Sequence, residues 1–336
     1  MLEGFDDGAW TDVIGTGGTV TASATYGKNG NGVRLGDNHS NYITVPNFNL
    51  ASGNPAAGFI IGFAVSIQSA ASTQCVARFK STYPPELRWD PSGSQFELWA
   101  YGGTSPDINV AGPVVTGSDW HYHEIKFIHG TSSNGTFVWY QNGSLVSSNT
   151  SYDFQSSDPY SFVLLGGTGS SDIDSAYYDD IYISDLTGDN NDFLGPIEVV
   201  TLLPNGNGNT SGMTGSDSNS TDNYLLVDEN PPDDDTTYVG SATEGTKDTY
   251  AFGDLTGTPT VVGLTTRMTA KKTATGAKFL RPVVRSSSTD YAGTSSGLAE
   301  TYGSYDVAWD VDPATSSAWA YTAVNSAEFG AEVRDS

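Results

Sequence analysis

Hydrophobic residues in this chain come in short bursts that alternate with polar ones, and clusters of turn formers separate the bursts. The longest burst, residues 58–69, contains Phe59, Ile60, Ile61, Phe63, Val65 and Ile67. Its β-branched and aromatic content predicts a buried strand rather than a helix. Period-two alternation is plainer in Phe96–Tyr101 and in Trp120–Ile128, each with an apolar and a polar face. The strand Thr136–Tyr140 runs into Gln141-Asn142-Gly143-Ser144, where Asn-Gly supplies the two positive φ angles of a type I′ hairpin turn, and Leu145-Val146 starts the return. Residues 161–165 and Tyr177–Ser184 read as two more strands. About ten short strands with turns between them predict a two-sheet sandwich.

The pattern changes after Ser184, where residues 186–196 are polar and rich in turn formers. A chain of 336 residues exceeds what one core usually supports, which places a first domain at 1–195 and a second at 196–336. The second is expected to open with a strand over Ile197–Leu203 and continue as a low-complexity loop from Pro204 to about Asp222. Later strands are expected over Thr260–Ala270 and Lys278–Arg285, the latter at an edge or bulge because Pro282 lacks an N–H. Residues 315–327 read as the one short helix, since Asp312-Pro313 precedes them and Trp319, Ala323 and Ala327 recur at helical spacing. The fold class is therefore all-β: a sandwich, then a second β-rich, sandwich-like domain with one short helix near its C-terminus.

Charge narrows the partners. The net charge of -25 is spread along the chain, with 20 acidic and 6 basic residues before position 196 and 19 and 8 after it. Phosphate neutralisation needs clustered Lys and Arg, so no nucleic acid is expected as a partner. Insertion into a membrane is not expected, because no run of about 18 apolar residues occurs. The single cysteine, Cys75, excludes an intramolecular disulfide, and the alternation around it predicts a small buried hydrophobe. The first residues, Met1 to Asp7, lack a basic segment followed by an apolar one, so synthesis in a cytoplasm without a signal peptide is expected.

No catalytic residue is assigned. A retaining glycosidase needs two carboxylates about 5 Å apart, which on a strand means alternate positions. Asp179 and Asp180 are adjacent, on opposite faces of a regular strand. No serine elbow or phosphate-binding loop is present either. His121 and His123 share a strand face with His129 in phase beyond them; zinc is one use for them, and the polar face of an amphipathic strand is the plainer one. Two acidic loops offer hard oxygen donors suited to calcium, through Asp185, Asp189 and Asp192 in one and Asp233 and Asp235 in the other, with solvated turns as the alternative. Among the tryptophans, Trp89, beside the turn formers Asp90-Pro91-Ser92-Gly93, is expected to reach a loop surface; with Tyr101 it forms the candidate sugar-stacking pair.

Three features of the first 185 residues resemble the concanavalin A-like/LamG jelly roll: Glu3-Gly4-Phe5-Asp6, the Trp120 strand leading by hairpin into Gln141-Asn142-Gly143, and Tyr178-Asp179-Asp180-Ile181-Tyr182-Ile183-Ser184-Asp185. Further motifs cross the domain join: Asn191-Asp192-Phe193-Leu194-Gly195, Leu203-Pro204-Asn205-Gly206, and the run from Asn230-Pro231-Pro232 to Tyr238-Val239. With Asp179-Asp180-Ile181-Tyr182 this set resembles tailed-bacteriophage virion proteins. The resemblance implies a non-enzymatic particle component (tail fibre, tail-associated protein or capsid decoration) located in the virion, with other virion proteins as partners. A homotrimer follows by analogy with phage appendages, and host attachment through a surface glycan is implied. The alternative is a lectin-like module whose main task is glycan recognition.

Overall fold

In the computed structural model the described residues are 2–3, 15–17, 20, 22–35, 42–44, 58–79, 85–101, 106–128, 134–152, 163–166 and 174–335. The chain divides into two compact units, Met1–Val200 and Thr201–Ser336. Among the described residues no helix is long and apolar enough to cross a membrane.

The strands of the first unit are β1 (Leu2–Glu3), β2 (Gly15–Gly17), β3 (Ala22–Ser23), β4 (Gly32–Leu35), β5 (Tyr42–Thr44), β6 (Gly58–Ser69), β7 (Gln74–Phe79), β8 (Glu86–Asp90), β9 (Gln95–Tyr101), β10 (Pro106–Val114), β11 (His121–Ile128), β12 (Gly135–Gln141), β13 (Ser144–Tyr152), β14 (Val163–Gly166) and β15 (Ser175–Ser184). They form two antiparallel sheets. One runs β13-β12-β11-β6-β15-β4-β3, with β1 also on β15; the other runs β10-β9-β8-β7-β14-β5-β2. Side chains from both sheets share one core, with Phe59, Phe63, Ile125, Trp139 and Tyr178 from the first and Val76, Leu87, Phe96 and Leu98 from the second. This is the two-sheet sandwich that strand alternation requires.

The strand β6 is buried on both faces from Gly58 to Ile67. Its inward face enters the core. On its outward face a Cβ at Gly62 would lie 2.1 Å from the Tyr182 ring, so only glycine lets that ring lie flat on the sheet. The β12–β13 turn has Asn142 at φ 50° and Gly143 at φ 75°, as the Asn-Gly pair predicts.

The second unit contains β16 (Pro204–Ser211), β17 (Thr214–Gly215), β18 (Val239–Gly240), β19 (Lys247–Phe252), β20 (Leu264–Ala270), β21 (Phe279–Ser286), β22 (Thr289–Ala292), β23 (Ser296–Gly297), β24 (Gly303–Trp309), α1 (Tyr321–Ser326) and β25 (Glu328–Arg334). Its main sheet runs β16-β19-β25-β21-β22, with β23 on β21; β17–β18 and β20–β24 are separate pairs. Leu264, Trp309, Trp319 and Val324 pack over Val284 and Phe329, which makes the helix and the β20–β24 ribbon a partial second layer.

Four expectations for this unit are corrected. Residues 197–203 are not a strand, and the polar stretch taken for a loop begins with one, β16. Its asparagines point outward while Gly206, Gly208 and Thr210 point inward, and a Cβ at Gly208 would come within 2.4 Å of the Thr249 carbonyl. Glycine here permits close pairing with β19 rather than looseness. The helix is confined to Tyr321–Ser326, because Asp312 closes a turn before it: its carboxylate accepts from Ala314 N at 3.0 Å and its carbonyl from Ser316 N at 2.8 Å. The strand expected over Thr260–Ala270 starts at Leu264. Pro282 lies opposite the break between β22 and β23, where its carbonyl accepts from Gly293 N at 2.8 Å. In an antiparallel strand a residue's N and C=O face the same neighbour, so the missing donor falls at the break.

Candidate functional site

The sequences of β8 and β9 each sort residues onto two faces. Leu87, Trp89, Phe96 and Leu98 share the core face; Glu86, Arg88, Gln95, Glu97 and Trp99 share the outer one. Pairing sets Glu86 between Trp99 on β9 and Arg78 on β7, and sets Arg88 opposite Glu97. Arg78 Nε donates to Glu86 Oε1 at 2.7 Å, while Arg88 Nε and Nη2 reach Glu86 Oε2 at 2.7 and 2.6 Å. The Arg88 guanidinium lies 3.7 Å from the Trp99 ring centroid. Glu86 is only 6% exposed, beneath arginine side chains that are half-buried. The result is a rigid patch of indole, guanidinium donors and carboxylate acceptors on the outer face of a sheet. Such a surface can hold a ligand that carries apolar C–H faces and hydroxyls together.

The expectation that Trp89 reaches a loop surface is corrected, and it is the Trp99 indole that lies on the outer face. Trp89 is 5% exposed, packs edge-on against Phe96 at 4.9 Å and lies under Gly117, where a Cβ would come within 2.8 Å of the indole. The signal was available, since Trp89 is in phase with Leu87 and Trp99 with Glu97. Tyr101 ends β9 in phase with Trp99, but its side chain lies outside the described residues.

The histidines are also corrected. His121 and His123 face the core in phase with Ile125 and Phe127, and the polar residues of β11 face the other way. His121 Nε2 bonds the Thr116 carbonyl at 2.7 Å. His123, fully buried, accepts from Trp139 Nε1 at 3.2 Å and sits 4.3 Å from the Phe96 ring. His129 lies outside the described residues. Burial first, and then the neighbouring His121, hold the His123 pKa well below the usual histidine value. An unfolded histidine titrates near 6.5, so below that pH the unfolded chain binds a proton that folded His123 refuses. Stability from this group is thus complete above about pH 6.5 and falls on acidification, by up to about 1.4 kcal/mol per pH unit. Denaturant midpoints measured between neutral and mildly acidic pH are expected to fall less steeply in His123→Leu than in the unaltered chain; parallel slopes would refute the assignment.

Asp179 and Asp180 do not diverge as in a regular strand. A bulge between Asp179 and Tyr182, with Asp180 at φ 52°, brings both carboxylates to Lys28. The Lys28 backbone N–H reaches Asp179 Oδ2 at 2.8 Å, and its Nζ reaches Asp180 Oδ2 at 2.9 Å.

The proposed calcium ligands are dispersed into local roles. Asp185 Oδ1 caps Thr187 through its N–H and hydroxyl, Asp189 is exposed, and Asp192 lies 3.5 Å from Lys126 Nζ. Asp233 accepts from Thr237, and Asp235 accepts from Lys271 and Tyr302. The Lys271 ammonium holds the Asp235 carboxyl below its usual value. Among the described residues no group of three or more His, Cys, Asp or Glu is placed to hold a metal ion.

No protein-family model and no curated protein sequence matches this chain. Solved structures with a similar fold include the binding domain of Paraclostridial Mosquitocidal Protein 1, at 12% identity and TM-score 0.40, where the match covers 51% of this chain and 43% of that one. The endo-β-1,4-glucuronan lyase from the fungus Trichoderma reesei matches at 13% identity and TM-score 0.42, over 55% of this chain and 94% of its own. The receptor binding domain of botulinum neurotoxin D matches at 13% identity and TM-score 0.39, over 51% and 43%. Likeness at this level carries no argument about ligand or activity.

Proposed function

We propose that this chain is a glycan-binding β-sandwich module without catalytic activity, and that it binds through the outer face of the seven-stranded sheet. The observation that carries this reading is the Trp99–Arg88–Glu86–Arg78 constellation, an aromatic ring held beside fixed donors and acceptors. Both Glu86 oxygens are engaged by guanidinium groups, which suits an orienting acceptor better than a proton-transfer group. Screening the full chain on a glycan array and titrating the best ligand against Trp99→Ala tests it. The variant is expected to fold normally, since Trp99 is outside the core, and to bind about 30-fold more weakly, the cost of truncating an aromatic anchor worth about 2 kcal/mol. An array without any signal, or unchanged affinity in the variant, would sink the proposal.

The motifs that resemble tailed-phage virion proteins support setting this module on a phage particle, where it would meet host-surface glycans. Gold-labelled antibody against the chain is expected to decorate such particles in electron micrographs. Label confined to the non-particle fraction of a lysate would exclude that placement.

A further inference from the structure

We infer that the outer-face site takes a neutral oligosaccharide laid across the strands, and discriminates against acidic glycans. The inference rests on the glycan-binding reading and adds the ligand's charge class and direction. The charge class follows from the balance of the face. Among the described side chains of β7, β8 and β9, Arg78 and Arg88 are its cations and Glu86 and Glu97 its anions, and the register sets each arginine directly opposite one of the two glutamates. Glu97 in turn accepts from Gln95 Nε2 at 3.2 Å. The guanidinium groups are thus already neutralised by the protein's own carboxylates.

An incoming uronate or sialate would compete with Glu86 and Glu97 for two arginines whose charge those carboxylates already balance. Drawing the guanidinium groups away from Glu86, which is 6% exposed, would leave it as a buried, unpaired charge, which is strongly unfavourable. At longer range the net charge of -25 repels any polyanion approaching the sheet. A neutral sugar faces neither obstacle. Its hydroxyls can donate to the remaining lone pairs of the two carboxylates, and its C–H face can lie against the indole.

Direction follows from register. Asn109, Trp99, Glu86 and Arg78 form one directly paired row across β10, β9, β8 and β7. Three strand gaps of about 4.8 Å make that row about 14 Å long. It suits several linked sugars running perpendicular to the strands better than one monosaccharide.

Calorimetric titration of the full chain with a neutral mannopentaose or cellopentaose, and with a cellopentaose oxidised to its uronate form, tests the inference at about 20 mM and about 500 mM salt. The neutral probe that binds is expected to keep its affinity within about twofold between the two salts, and the uronate to bind at least about tenfold more weakly. Glu97→Lys turns the balance of these four side chains positive. It is expected to improve uronate binding about fivefold or more at low salt, with the gain lost at high salt. Tighter binding of the uronate by the unaltered chain, weakening as salt rises, would overturn the inference and leave glycan binding intact. Failure of every probe, neutral and acidic, would overturn both.

Discussion

Asp248→Ala is expected to cost the second unit about 3–5 kcal/mol, the range for removing a buried, multiply bonded carboxylate. Asp248, on β19, is 1% exposed and accepts from Gly212 N at 2.6 Å, Met213 N at 2.7 Å, the Asn223 side-chain amide at 2.6 Å and the Tyr250 hydroxyl at 3.0 Å. Burial, reinforced by the Asp248 charge, holds the Tyr250 hydroxyl far above the usual phenol range, so it remains a donor. Alanine takes an acceptor from four donors; Gly212 N keeps the Lys247 carbonyl at 3.1 Å and the Asn223 amide keeps the Met213 carbonyl at 3.0 Å, while Met213 N and the Tyr250 hydroxyl face a methyl group. Two of the four donors are backbone amides that fix the entry to the Met213–Asn223 segment. Urea titration should show a lower midpoint. Hydrogen exchange at Gly212 and Met213 should rise toward that of an open loop. Asp248→Asn keeps the shape but turns an amide toward some donors, so about half the loss is expected. An unfolding free energy within about 1 kcal/mol of the unaltered chain would show that Asp248 does not organise this loop.

Glu124→Ala carries the second large effect, about 3 kcal/mol from an unpaired buried network. Glu124 is 1% exposed on the outward face of β11, and its Oε1 accepts from the Tyr182 hydroxyl at 2.7 Å and from Gly195 N at 2.8 Å. The neighbouring contacts repeat every second residue: the Ile197 backbone bonds the Tyr122 hydroxyl, and Val199 N donates to Asp180 Oδ1 at 2.9 Å. Phe193 adds a ring contact with Tyr140 at 4.6 Å. Residues 193–199 therefore form a strap held by side chains of β11 and β15. For a unit of this size, 3 kcal/mol lowers the melting temperature by about 6–12 °C. Calorimetry measures that shift, and limited proteolysis within residues 186–200 should be faster in the variant. Equal digestion rates would refute the strap.

The difference between Trp89 and Trp99 was written in the sequence. Alternation along Glu86-Leu87-Arg88-Trp89 and Glu97-Leu98-Trp99 assigns each indole to a face without further information. The same phase rule places His121 and His123 with Ile125 and Phe127. The rule could not supply their partners, because the Trp139 ring and the Phe96 face come from other strands.

By itself the sequence determined the all-β class, the length of β6, the Asn142-Gly143 turn and the face to which each strand residue belongs. These depend on period-two alternation and on backbone preferences that act within a few residues. Tertiary structure alone decided that residues 193–199 bind as a strap, that Pro204–Ser211 is a strand, and that Arg78 meets Glu86 and Arg88 beside Trp99. In each case the partner lies on a separate strand, brought into contact by sheet order: Glu124 is 71 residues from Gly195, and Thr249 is 39 from Thr210. Pairing between distant segments is set by the global packing of two faces rather than by local composition, which is why a turn-rich join and the start of an expected strand form a bound strap, and the start of an expected loop forms an edge strand.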